Sequence, residues 1–194
     1  NMPKKVEHEF WLDCFNAFEL ENNIEEIEDK DILEFLLHGK LDNNYVNDAM
    51  TGTQHLPYLI IRQGLTQAIE LLKGTNCLTI LSDFGNGKSV FLNELASLLT
   101  INGKSVFMLN NIDGNYSEDI DKLLSLNKEI YIIIDNYENS LDIIKYITLI
   151  NSDNIKIILS TRSSNHGHYY DDFQIIQNSL ELNIDILSHE EVIS

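Results

Sequence analysis

Three short runs limit the folds open to this chain: Cys77-Leu78-Thr79-Ile80-Leu81, Ile130-Tyr131-Ile132-Ile133-Ile134 and the stretch from Ile155 to Ser160. Each is almost continuously apolar, as in a strand buried on both faces, and each is followed by a different kind of pattern. Apolar residues recur at helical spacing in Gly64–Leu72 (Leu65, Ile69, Leu72), in residues 88–101 (Phe91, Leu92, Leu95, Leu98, Leu99) and in Ser140–Ile150. A further helix carries Ile120, Leu123 and Leu124, with Ser117 as its expected cap. Gly103 stands where the helix over 88–101 should stop, ahead of a strand at Ser105–Leu109, and a last apolar run spans Phe173–Ile184. Strands alternating with helices in this way predict an α/β fold, a mostly parallel sheet sandwiched between two helical layers.

Between the first strand and its helix lies Ser82-Asp83-Phe84-Gly85-Asn86-Gly87-Lys88-Ser89. It follows the phosphate-loop pattern GxxxxGK[ST] except that Ser82 takes the first glycine position. Gly85 and Gly87 permit the positive φ angles of a loop whose N–H groups converge on phosphate oxygens. The expected cradle is Asp83, Phe84, Gly85, Asn86, Gly87, Lys88, Ser89 and Val90, with Lys88 on the β- and γ-phosphates and the Ser89 hydroxyl on Mg²⁺. A plain glycine turn is the alternative, and Ser82 is what favours it. A dinucleotide fingerprint is excluded, because its third glycine falls on Val90 and the second strand runs into Asn110 and Asn111 rather than an acid.

Other strand tips supply partners. Asp135 directly follows the run at 130–134 and is expected to hold Mg²⁺, while Glu138 could act as general base on an attacking water. Asp135 also reads as an ordinary turn residue, and the upstream loop is what favours the metal role. Arg162 ends the strand "IKIILSTR", where its planar fork suits a γ-phosphate. Arg62, in "YLIIRQGL", is the chain's other arginine and is expected among the nucleotide-binding residues. Two arginines are too few to clamp both donor and acceptor of a small-molecule kinase.

The 194 residues carry a net charge of −18, which disfavours nucleic acid and membrane surfaces as partners. Residues 1–56 hold thirteen acids against four lysines and form an expected acidic helical segment. Within it, helices are expected over Val6–Leu20, with Trp11 in a packing face, and over Ile24–Leu37, stopped at Gly39; Asn43–Gly52 reads as a linker. A solvated acidic face and a docking surface for a basic partner both fit that composition. The domain boundary is placed at His55-Leu56-Pro57, with the core over 57–185 and a following helical domain beginning in 186–194, where Ser188 could cap. Cys14 and Cys77 match no metal or redox spacing and read as buried thiols of a cytoplasmic protein. His166 and His168 lack a third metal ligand nearby, and Tyr169, Tyr170, Asp171 and Asp172 read as a loop.

On "SDFGNGKS", "IYIIIDNYEN", "IKIILSTR" and "YLIIRQ", taken in order, the chain resembles the STAND class of P-loop NTPases, which includes the NACHT and NB-ARC families. These stretches are similar to its Walker A, Walker B, sensor-1 and hhGRE elements. The resemblance implies a P-loop NTPase three-layer αβα sandwich, ATP or GTP with Mg²⁺, and slow or gated hydrolysis. It also implies partners in other domains of one longer chain, self-oligomerisation on activation, and a role in signalling or antiviral defence. Ser82, Ile61 and Asn136 depart from the pattern: Asn136 stands where many related ATPases have the catalytic glutamate, and Glu138 aligns with a later acid. A nucleotide-binding scaffold without hydrolysis is the competing expectation.

Overall fold

The computed structural model describes residues 11–20, 28–38, 43–51, 62–173 and 179–185. In chain order the elements are β1 (Phe15–Ala17), α1 (Asp29–His38), α2 (Asn43–Thr51), α3 (Gly64–Gly74), β2 (Cys77–Ser82) and α4 (Lys88–Ile101). There follow β3 (Ser105–Leu109), α5 (Tyr116–Leu124), β4 (Ile130–Ile134), a 3₁₀ turn at Tyr137–Asn139, α6 (Leu141–Ile150), β5 (Ile155–Arg162), α7 (Ser163–Phe173) and β6 (Ser179–Asn183). The strands form one six-stranded sheet in the order β1-β3-β4-β5-β2-β6. All neighbours run parallel except β1, which lies antiparallel on β3.

Alternation along β4 shows how the sheet divides its two cores. Ile130, Ile132 and Ile134 face a cluster that includes Phe107, Ile120, Ile143, Ile147 and Leu159. Tyr131 and Ile133 face the other way, among Leu65, Leu72, Leu78, Ile80, Phe91, Leu95 and Ile158. The predicted strands and helices of this region are therefore present, and the parallel sheet is buried on both sides. Both cysteines are free and buried. Burial alone pushes the Cys77 thiol up to about 12.

The N-terminal expectations need correction. The helix expected over Val6–Leu20 does not form in its described part: Phe15–Ala17 is an edge strand, and Trp11 is 73% exposed rather than part of a packing face. Cys14 and Phe15 lie in one core and Phe18 in the other, so this short strand caps the edge of the sheet. The linker expected over Asn43–Gly52 is the helix α2, which buries Tyr45 and Val46 and accepts a 2.6 Å hydrogen bond from Ser97 Oγ on α4 at Asn47 Oδ1. Tyr45 Oη in turn donates to Asp31 Oδ2 of α1 at 2.8 Å. Asn115, not Ser117, caps α5, accepting from the Glu118 N–H. Residues 169–172 continue α7 instead of forming a loop. The start of the helix expected from Ile24, its stop at Gly39, the boundary at 55–57 and the segment 186–194 lie outside the described residues. No helix among the described residues is long and apolar enough to cross a membrane.

Strand β1 is held by more than its ladder. The Cys14 N–H donates to the buried Asp119 Oδ2 at 2.7 Å, and Gly114 passes so close that a Cβ there would lie 2.7 Å from Cys14 Sγ. Gly114→Ala should therefore cost about 1–3 kcal/mol by overpacking, read from the urea midpoint.

Candidate functional site

Parallel register brings three loops to one edge of the sheet. Ser82, the last residue of β2, lies opposite Arg162, the last of β5. On the other side of β5, Ile134 lies opposite Leu159, so Asp135 leaves the sheet level with Ser160. Ligands of open α/β sheets bind at this carboxyl edge.

The loop after β2 turns through Gly85 at φ +82° and Gly87 at φ +74°, and Gly87 then serves as the N-cap of α4. A Cβ at either glycine would force the left-handed region on a residue that disfavours it. No side chain caps α4, so its first N–H groups and its positive dipole end face the loop. The hollow beneath is a cleft of about 480 Å³ lined by residues 83–90, Asn136 and Arg162, a size suited to a small-molecule ligand. A separate cavity of about 280 Å³ lies around Gly74, Asn76 and Asn151 and contains none of the predicted site residues.

Lys88, which lines the cleft, meets Asp135, which lies beside the lining rather than in it. Lys88 Nζ lies 3.0 Å from Asp135 Oδ1 and donates to Asn136 Oδ1 at 2.6 Å, and the Ser89 hydroxyl donates to Asp135 Oδ2 at 3.2 Å. Ser160 Oγ donates to Asp135 Oδ1 and fixes the carboxylate from the neighbouring strand. Asn136 adopts the left-handed conformation (φ +51°), which directs the backbone out of β4 and into the 3₁₀ turn. A lysine, a hydroxyl and a carboxylate at a helix N-terminus under a glycine loop are the donor set that a magnesium-bound polyphosphate requires.

Glu138 is placed differently. Its Oε2 accepts from Thr161 Oγ1 at 2.9 Å and its Oε1 from Asn165 Nδ2 at 2.8 Å, and it is not among the residues lining the cleft. Behind it, the fully buried Tyr137 hydroxyl meets His166 Nδ1 at 2.9 Å, and His166 Nε2 meets Glu181 of β6 at 2.9 Å. Arg162 does enter the cleft wall, with its guanidinium 4.9 Å from the ring centroid of Phe84, which is itself 81% exposed. Such a cation–π contact holds the charge at the mouth of the cleft without neutralising it.

Arg62 lies outside the lining. Its Nη1 donates to the Asn86 carbonyl at 3.1 Å and its Nη2 to the carbonyl of Ile184. The loop has a second fastening that sequence reasoning missed, Asp185, which accepts from the Asp83 N–H at 2.6 Å and from Asn86 Nδ2 at 2.9 Å. Partial burial works against the charged form of Asp185, but hydrogen bonds from Asn86, the Asp83 N–H and Ser82 outweigh it and hold its carboxyl below the usual carboxylate range. Ser160 was also missed as a site residue, although its place just ahead of Thr161-Arg162 on the tip of β5 is a sequence signal for it.

Solved structures share the three-layer α/β fold with its mostly parallel six-stranded sheet. S. cerevisiae Hsp104 in its ADP complex superposes with a TM-score of 0.55 at 15% identity, over 76% of this chain and 30% of that one. The extended Hsp104:casein complex gives 0.51 at 13% identity over the same shares, and C. elegans PCH-2 gives 0.42 at 19% identity over 76% and 43%. The chain thus spans about a third of the length of the Hsp104 chains it resembles. No family model matches the sequence, and no curated protein does.

The link from β5 to the carboxylate is open to measurement. Ser160→Ala removes a hydroxyl that donates to a charged group, and should lower stability by about 1–3 kcal/mol in urea unfolding.

Proposed function

We propose that this chain binds Mg-ATP, or GTP, in the cleft at the N-terminus of α4, and works as a nucleotide-dependent switch of the STAND kind within a longer signalling or defence protein. The observation that carries the reading is the meeting of Lys88 and Ser89 with Asp135 beneath the two left-handed glycines. The loop N–H groups and Lys88 would hold the phosphates, and Ser89 with Asp135 would hold Mg²⁺, directly or through water. The metal, when bound, neutralises phosphate charge and orients the terminal group. Arg162, kept at the cleft mouth by Phe84, is the residue suited to distinguish a triphosphate from a diphosphate, because a switch needs contacts that differ between its two ligands. A switch of this kind draws on other domains of the same chain and on self-association, and both belong to this proposal.

Lys88→Ala should weaken Mg-ATP by about 2–4 kcal/mol in calorimetric titration, through loss of a charged phosphate contact. Arg162→Ala should weaken ATP more than ADP. Equal ATP affinity in Lys88→Ala and the parent chain would overturn the phosphate-cradle reading, and an unchanged ATP-to-ADP ratio would remove Arg162 from the site.

A second reading, nucleotide binding without turnover, is favoured by the engagement of both Glu138 oxygens by Thr161 and Asn165. Phosphate release separates the two. With Glu138 as general base, Glu138→Gln should lower turnover by about 10²–10⁴-fold while leaving binding intact. No phosphate release by the parent chain, with binding retained, would select the second reading.

A further inference from the structure

The phosphate loop is fastened from outside by residues from opposite ends of the core. Asn86, between Gly85 and Gly87, has both ends of its polar reach occupied: its side-chain amide donates to Asp185 Oδ1 at 2.9 Å, and its carbonyl accepts from Arg62 Nη1 at 3.1 Å. The Asp83 N–H, at the start of the loop, donates to the same Asp185 oxygen at 2.6 Å. The two fastening residues are themselves anchored. Arg62 donates to the Ile184 carbonyl, the Ile184 N–H donates to the Leu81 carbonyl at 2.9 Å, and the Asp185 N–H donates to Asn183 Oδ1 at 2.7 Å. A ring is thereby closed from Arg62, two residues ahead of α3, through the loop apex, to the residues after β6. Neither Arg62 nor Asp185 lines the cleft.

A loop with two glycines loses much conformational entropy when it orders, so holding it in shape beforehand lowers the cost of binding an anion. Electrostatics alone would disfavour a carboxylate close to bound phosphates. What Asp185 contributes is one acceptor oxygen shared by two loop donors. We infer that Asp185, with Arg62 opposite it, is a positioning residue for the phosphate loop and tunes nucleotide affinity without touching the nucleotide. This rests on the nucleotide-binding reading above.

Because a single oxygen takes both donors, asparagine can replace it and alanine cannot. In calorimetric titrations of the 194-residue chain with Mg-ATP, Asp185→Ala should weaken binding by about tenfold or more, as expected for lost hydrogen bonds to a charged acceptor. Asp185→Asn should stay within about threefold of the parent chain, since it keeps the acceptor and removes a charge near the phosphates. Asn86→Ala removes one of the same bonds from the loop side, so its effect should be less than additive with Asp185→Ala. The nucleotide-free melting temperatures of Asp185→Asn and Asn86→Ala should match the parent, which separates positioning from global stability. Were Asp185→Ala not to fold, Asn86→Ala and Asp185→Asn would carry the test.

Parent-like affinity in Asp185→Ala, or in Asn86→Ala, would overturn the inference. So would an Asp185→Asn variant as weak as the alanine. A parent chain that fails to bind Mg-ATP would overturn the proposed function itself, and the two failures are distinguishable in one set of titrations.

Discussion

Parallel pairing of β2 with β5 is the contact on which the site depends. Its register sets Ser82 opposite Arg162. From that row the glycine loop leaves one strand and the arginine leaves the other. With β4 on the far side of β5, Asp135 arrives within reach of Ser89 and Lys88. Strand β5 is thus inserted between the loop strand and the strand that carries the carboxylate, and its tip touches both: Ser160 fixes Asp135, and Arg162 stacks on Phe84. A slip of one residue along this seam would turn the apolar side chains of β5 to the wrong core and separate the three tips together.

The core was legible in the sequence because its strands are apolar on both faces and its helices carry a clear stripe. α4 and β3 match their expected limits to the residue. The N-terminal elements were not legible, for reasons that can be named. The three residues of β1 are too few to show alternation against a background of scattered aromatic residues, and its strand state comes from the exposed edge of β3. The residues of α2 look like a linker because Asn43, Asn44 and Asn47 are poor helix formers, yet Tyr45 and Val46 find a place on α4. In both cases tertiary packing overrode local preference.

For the site, the motif residues were readable and their fastenings were not. Ser82, a departure from the phosphate-loop pattern, proves sterically mild. It is the final residue of β2, fully buried in extended backbone, whereas the left-handed angles fall at Gly85 and Gly87. Asn136, a second departure, uses the tolerance of asparagine for positive φ to turn the chain out of β4, and presents its side chain to Lys88. Asp185 had no local signal at all. It belongs to the site only because β6 pairs with β2, more than a hundred residues away in sequence, and pairings of that range are invisible to periodicity.

The short strand β1 also acts as a guard. A parallel sheet ends in a row of unpaired backbone groups, and on β3 that row is covered by Phe15, Asn16 and Ala17, with the Phe18 N–H reaching the Val106 carbonyl and the Asn110 N–H reaching the Cys14 carbonyl. A chain trimmed to the compositional boundary at residue 57 would keep every motif and lose this cover. The edge of β3, with Phe107 no longer shielded, would become a template for strand addition, and such a fragment would be prone to self-associate through its backbone rather than through any functional surface.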